Sequence, residues 1–338
     1  MYKPIYKITP YLLNLVDEAG QLRNWVENAS LQVAWLPILQ REARTKTTHS
    51  STAIEGNPLS LRQVEAVARG EKIGTPQAYE QEITNYLKAV SWLEKNASST
   101  ISEEALLSLH KLLTENILTE SRSGKYKEKQ NFVLNEKGIK IYIPPSPKMT
   151  PTLTRELIEW INSDEIKSLH PIIVCAISHH RLVSIHPFTD GNGRIARSLE
   201  TWILYQRGFD NNHIFSLDDF FAKDRKRYYD KIEQARELDD NLTYWIEYVA
   251  EGIVKTLKDV KSRIESLQVS TKSKILLSPR QEELIRILRD FPVINVAIIQ
   301  QELKVTRARV NQIISPLIAS GLVAKEGNAK ATRYRLNH

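Results

Sequence analysis

The sequence predicts a mainly α protein, interrupted by one β-hairpin and ending in a small basic module. Three observations predict it. Apolar residues recur at helical spacing through most of residues 1–270. One stretch, 125–145, switches to two β-favouring runs around a turn. The net charge of +7 falls wholly in the tail, where residues 271–338 hold 12 Lys and Arg against 5 Asp and Glu, leaving 35 of each sign before them. At 338 residues the chain fits two or three folding units.

In chain order, helical spacing predicts helices over Tyr11–Trp25, Leu31–Thr48, Ala78–Leu93, Glu103–Ile117, Thr152–Ile161, Pro171–Val183 and Leu242–Leu267. Ser102-Glu103-Glu104 and Thr150-Pro151 read as helix starts, a cap or an early proline answering the free amide groups. The runs Gln130–Leu134 and Ile139–Ile143 flank the turn cluster Asn135-Glu136-Lys137-Gly138. That hairpin is either a surface ribbon or an exposed edge on which an extended peptide can pair. The polar stretch Val269–Lys274 marks a domain boundary, and no internal repeat or low-complexity tract is present.

Composition narrows the setting. The single cysteine, Cys175, lies in the apolar run Ile172–Ile177, so an internal disulfide is excluded and a reducing compartment fits. The N-terminus lacks the basic-then-apolar order of a signal peptide, and no run approaches ~18 apolar residues. The expectation is a cytoplasmic protein with no membrane partner. The localised basic tail suits a polyanion partner.

The densest chemistry lies in His186–Arg197. A proline stops one helix, a loop carries an acidic residue, Gly-Asn-Gly follows, and a second helix runs through Leu199, Trp202, Ile203 and Leu204. The glycines therefore fall at a helix N-terminus, where free N–H groups and the helix dipole favour an anion. Arg194 and Arg197 are three apart in the first turns of that helix, where cations oppose the dipole by about 0.3–1 kcal/mol. A bound polyphosphate would compensate, held by bidentate guanidinium contacts. Asp190 offers a hard oxygen suited to Mg²⁺, and His186 can accept a proton from an attacking hydroxyl.

These twelve residues resemble the signature of the Fic family, His-Pro-Phe-x-Asp/Glu-Gly-Asn-Gly-Arg-x-x-Arg, and meet every fixed position of it. The resemblance implies a helical Fic core with a β-hairpin flap, and transfer of AMP from ATP to a hydroxyl side chain of a target protein. It implies His186 as general base, Asp190 as Mg²⁺ ligand, and Gly191, Asn192 and Gly193 as the phosphate nest. Arg194 and Arg197 would hold the ATP phosphates, Phe188 would be a buried anchor, and the 125–145 hairpin would dock the target. Tyr228-Tyr229 resembles a family pair near the adenine pocket, with Tyr229 against the base. An Asn often follows seven positions later, and Arg236 stands there instead, a departure that bears on the adenine assignment. His179 and His180, adjacent and therefore about 100° apart on a helix, read as packing or surface residues rather than metal ligands.

A second motif lies upstream. Gly56-Asn57-Pro58 stops the preceding helix and leaves Glu55 in its final turn, where a carboxylate is unfavourable unless a cation answers it. By itself Glu55 reads as solvated. Ser51-x-x-x-Glu55-Gly56, however, resembles the inhibitory motif of Fic proteins that carry it N-terminal to the core. There the glutamate pairs with the second signature arginine, here Arg197, and ATP binds unproductively. The same glutamate positions a water in members that reverse the modification.

In the tail, Ser278-Pro279 starts a helix through Leu284–Leu288, Val296–Leu303 forms a second, and Thr306 to about Ser320 a third that Pro316 should kink or end early. Leu322–Lys325 and Thr332–Leu336 then form a hairpin around Glu326-Gly327-Asn328. This order resembles a winged helix-turn-helix domain. The resemblance implies duplex DNA contacts through Arg307, Arg309 and Gln312, with Lys330, Arg333 and Arg335 on phosphates. Such domains also dock proteins or dimerise, so a homodimer stays open. The expected organisation is a helical region with the inhibitory motif in 1–100, a catalytic core in 101–268, a linker in 269–277 and the winged module in 278–338. A DNA-binding regulator whose core senses nucleotide or modifies only itself is the alternative function.

Overall fold

The computed structural model describes residues 2–29, 35–134, 138–270, 277–290, 293–327 and 332–336. The expected turn at 135–137, the stretch 271–276, Asn328, Lys330 and the helix start at 31–34 lie outside them. The chain divides into two compact units, residues 1–261 and 262–338. Residues 261 and 262 both lie within a long helix, Thr243–Ser270.

The mainly α expectation is borne out. The first unit opens with α1 (Pro10–Asn28), capped by Thr9, whose hydroxyl accepts from the Leu12 N–H. Helix α2 (Leu36–Ile54) ends at the Gly-Asn-Pro stop, Gly56 taking φ +101°. Helix α3 (Leu61–Ala68) was not expected, although Ser60 and Gln63 form a full capping box there. Helices α4 (Gln77–Lys95) and α5 (Glu103–Thr114) precede the hairpin β1 (Val133–Leu134) and β2 (Lys140–Tyr142). Then come α6 (Thr150–Asn162), the single turn α7 (Asp164–Lys167), α8 (Pro171–Ile185), α9 (Asn192–Gln206), α10 (Leu217–Lys223), α11 (Arg225–Glu237) and α12 (Thr243–Ser270).

Helix α8 is buried at every position from Ile172 to Ile185 except Arg181, which makes it the axis of the unit. That explains its apolar run without a polar face. Cys175 lies there, fully buried. Helix α9 packs along α8, and α4, α5 and α2 pack on α9. Buried indoles tie the layers, with Trp245 Nε1 donating to Ala176 O at 2.7 Å and Trp202 Nε1 to Asn96 O at 3.0 Å. The N-terminal strand-like segment joins the far side, Leu242 N–H donating to Ile5 O at 2.8 Å.

The second unit holds α13 (Pro279–Asp290), β3 (Ile294–Asn295), α14 (Val296–Leu303), α15 (Arg307–Ala319), β4 (Val323–Glu326) and β5 (Arg333–Leu336). The strands form an antiparallel sheet in the order β3-β5-β4, with Ile294 opposite Tyr334 and Val323 opposite Leu336. Leu284, Leu288, Ile299, Val310, Ile314 and Leu317 make its core. The third helix ends at Ala319, close to the expected Ser320, so of the two effects expected of Pro316, a kink or an early end, the early end is corrected. The helix runs on to Ala319 because Pro316 and Gln312 are exposed, so water can reach the Gln312 carbonyl that the missing N–H would have served.

Candidate active site

The loop between α8 and α9 is held by its own main chain. His186 caps α8 in the left-handed region, at φ 50° and ψ 58°, and donates its N–H to Leu182 O. Such a conformation in a non-glycine residue costs of order 1 kcal/mol and persists where neighbours enforce it. They do so here. Lys127 N–H donates to Pro187 O at 2.9 Å, and Asn192 clasps Phe188, accepting its N–H at 2.9 Å and donating to its carbonyl at 2.8 Å. The buried Phe188 ring stacks on His110, centroids 3.7 Å apart. His110 Nδ1 accepts from Gly124 N–H, so Nε2 carries the proton and donates to Asp190 O at 3.0 Å. The side chain of Asn192 is thus committed to the loop, and only its main chain is left to face an anion.

The His186 ring has a definite proton arrangement. Its Nδ1 lies 3.2 Å from Val183 O, and a carbonyl can only accept, so Nδ1 carries the proton and Nε2 keeps its lone pair. Burial pushes the imidazole down to about 4, with the charges of Lys127 and Arg236 adding to it, and the Val183 carbonyl and Glu55 opposing. At neutral pH the ring is an unprotonated base.

Arg197 is fully buried, 1 % exposed. Its Nε donates to Ser51 Oγ at 2.7 Å, Nη2 to Ser51 O and Glu55 Oε1 at 2.8 Å each, and Nη1 to Tyr228 Oη at 3.4 Å. Asp218 Oδ1 lies 3.2 Å from Nε, a second counter-ion. Burial raises the Asp218 carboxyl to about 6 against the pull of Arg197. Glu55 is the C-cap of α2, so Arg197 is the cation that answers its unfavourable position. A Cβ on Gly193 would collide with Glu55 Oε1 and lie 3.0 Å from Arg197 Nη1. The Glu55 carboxylate therefore sits over the first turn of α9, where a helix N-terminus receives anions.

Arg194 is engaged separately, its Nη1 2.7 Å from Glu82 Oε1 and its Nη2 3.0 Å from Asp190 Oδ2. Glu82 also accepts from Asn57 Nδ2 at 2.8 Å, which links it to the turn after Glu55. Gly191 caps α9 at φ +79°, a conformation that glycine adopts without strain. Tyr229 is exposed and its hydroxyl donates to Ile54 O at 3.3 Å, beside the same helix end. Tyr228 is buried, its hydroxyl 2.9 Å from His179 Nε2, and His179 Nδ1 lies 2.7 Å from Glu200. His180 contacts Ile232 O, so both histidines are packed.

Arg236 stacks on Tyr142 at 3.8 Å, and Tyr142 Oη donates to Ser184 O, tying the hairpin to α8. The hairpin carries exposed Phe132, Leu134, Ile139, Ile141 and Ile143. In the second unit, Arg307, Arg309 and Gln312 are exposed on α15, with Arg309 Nη1 donating to Gln312 Oε1 at 2.8 Å. Sequence reasoning did not single out His110, Lys127, Asn131, Glu82 or Asp218. Each reaches the site through space from another helix or loop, and none stands in a local pattern that marks it.

Among the described residues no group of three or more His, Cys, Asp and Glu could hold an ion. The Asp190 side chain is mostly exposed beside the anion site, which fits a Mg²⁺ ion that keeps waters and binds through phosphates. No helix of the described residues is long and apolar enough to cross a membrane.

Residues 100–204 match the model of the Fic/DOC family. A protein adenylyltransferase Fic from Nematostella vectensis is 30 % identical over 237 residues, covering 68 % of this chain and 52 % of its own length. One from Drosophila erecta is 28 % identical and matches over 43 % of its own length. The chain thus spans about half the length of the curated relatives it matches. A Fic family protein from Desulfovibrio desulfuricans aligns in structure over 99 % of this chain and 98 % of that one, with a TM-score of 0.69 and 25 % identity. Fic-1 from C. elegans aligns over 75 % of this chain and 73 % of that one, with a TM-score of 0.65 and 25 % identity.

Proposed function

We propose, from the match of residues 100–204 to the Fic/DOC family, that the protein transfers AMP from ATP to a hydroxyl side chain of a target protein, restrained at rest by Glu55. The observation that carries the reading is the joint occurrence of an unprotonated His186 ring with a free Nε2 and a buried Arg197 at the N-terminus of α9. In this mechanism the target hydroxyl attacks the α-phosphorus in line, His186 Nε2 takes its proton, and pyrophosphate leaves. The N–H groups of the Gly191–Gly193 turn and the two arginines hold the phosphates, so catalysis comes from positioning and charge stabilisation. Asp190 would hold Mg²⁺, which supplies charge neutralisation on the phosphate oxygens. Tyr229 is read as the wall of the adenine pocket, and the exposed edge of the hairpin as the dock for the target.

Restraint follows from occupancy. While Glu55 holds the Nη2 edge of Arg197, that edge cannot grip a terminal phosphate, and ATP binds with its α-phosphorus misaligned. Incubating a lysate with ATP labelled at the α-phosphate tests the whole reading. Label should appear on protein with the Glu55→Gly variant and be absent when His186→Ala is added; label that persists without His186 would refute it.

We read the second unit as a winged helix-turn-helix module contacting duplex DNA. The exposure of Arg307, Arg309 and Gln312 near the start of α15 supports this. Binding of duplex by the full chain should weaken with added salt as phosphate contacts release counterions. Salt-insensitive or absent binding would leave docking or dimerisation as its role.

A further inference from the structure

Three consecutive carbonyls of the active-site loop are addressed by one short segment that leads into the hairpin. Lys127 N–H donates to Pro187 O at 2.9 Å, while Asn131 Nδ2 donates to Phe188 O at 2.9 Å and reaches His186 O at 3.5 Å. Lys127 is buried, 3 % exposed. Its ammonium donates to Asn131 Oδ1 at 2.7 Å, and among the described residues no carboxylate is within ion-pair distance of it. We infer that Lys127 and Asn131 form a positioning pair for His186, the ammonium fixing the Asn131 amide so that its Nδ2 secures the loop. This rests on the transfer reading of the site.

The chemistry of the pair supports that role. An Asn side chain can face either way, and a donor-only ammonium on its oxygen forces the nitrogen toward the carbonyls. A buried, unpaired cation is costly, so a position needed only for packing would favour an apolar residue. Burial brings the Lys127 amine down to about 8, and at neutral pH it remains mainly charged. The groups acting on His186 come from separate elements: Lys127 before the hairpin and Arg236 on α11 lower its affinity for a proton, while Glu55 on α2 and the Val183 carbonyl on α8 raise it. Removing Lys127 takes away one of the two lowering charges, so the ring should bind a proton at higher pH.

The test uses the full chain in the Glu55→Gly background, with Lys127→Met, Lys127→Arg and Asn131→Ala added singly. Lys127→Met should lower kcat by at least about tenfold while KM for ATP stays within about twofold, the pattern of a lost alignment rather than lost binding. NMR titration of the His186 ring should move upward in that variant relative to the Glu55→Gly parent. Lys127→Arg should restore the titration, and Asn131→Ala should lower kcat with the titration unmoved. An unchanged kcat and titration in Lys127→Met, or a loss confined to KM, would overturn the inference. If the Glu55→Gly parent transfers no AMP, the transfer reading fails, and the His186 titration still decides whether Lys127 acts on the ring.

Discussion

Glu55 and Arg197 lie 142 positions apart in sequence and 2.8 Å apart in space, and the pair is lopsided: the arginine side chain is 1 % exposed, the glutamate 27 %. Arg197 is also held by Ser51, Asp218 and Tyr228, so it stays where it is when the carboxylate leaves. The mobile half of the proposed restraint is therefore Glu55.

Removing that half should activate the protein. A hydrogen bond to a charged group contributes about 1.5–3 kcal/mol, which corresponds to roughly 10- to 100-fold in rate if ATP must break it to bind productively. Glu55→Gly should gain transfer of that order, measured as pyrophosphate release, and adding His186→Ala should abolish it. A gain below about twofold would mean that Glu55 does not limit the resting rate.

Gly193→Ala offers an independent route to the same contact. Its Cβ would displace the end of the Glu55 side chain, a flexible group, and crowd Arg197 Nη1. Glu55→Gly should then add far less activity in the Gly193→Ala background than in wild type, because the two substitutions act on one contact. Full additivity would place Glu55 elsewhere in solution. Calorimetric titration should also show weaker ATP binding, about tenfold for each 1.4 kcal/mol lost to crowding.

The pH profile tests His186. As the proposed base it works as the unprotonated ring, so rate should rise with pH through about 4 or, with the Glu55 charge removed, somewhat lower, and be level well before neutrality. An exposed histidine would put that limb near ~6.5. A kcat/KM profile of the Glu55→Gly protein decides between the two positions.

Pro316 makes a separate prediction for the second unit. It sits on the exposed side of α15 with no N–H to offer, between buried Ile314 and Leu317. Pro316→Ala should raise the unfolding free energy of that unit by about 1–3 kcal/mol, since proline is about 3 kcal/mol worse than alanine inside a helix. Scanning calorimetry of the full chain should show the corresponding transition move upward.

Local pattern and spatial assembly divide what was legible. The helical spacing located the long helices, and the bounds of Val296–Leu303 agree with those of α14. Ser60 and Gln63 carry the capping signal for α3, and Leu61, Val64 and Val67 give it an apolar face, but at eight residues it is too short to stand out by periodicity alone. Pro316 misled because a proline rule takes no account of which face is wet. At the site, the twelve-residue segment brought the base, the turn and both arginines into view together, since a loop and one helix hold them all. Glu82, Asp218, His110 and Lys127 act from four other stretches of chain, each unremarkable among its sequence neighbours, and folding alone brings them to the loop.

The placement of Glu55 on α2 also orders events during synthesis. Translation proceeds at about 5–20 residues per second, so Glu55 leaves the ribosome about 7 to 30 s before Arg197. Helix α9 can form its anion site only after the carboxylate proposed to fill it already exists in the same chain. On that reading a nascent molecule passes through no interval in which a finished site is unrestrained, and the cell need not supply a second protein in time to prevent one.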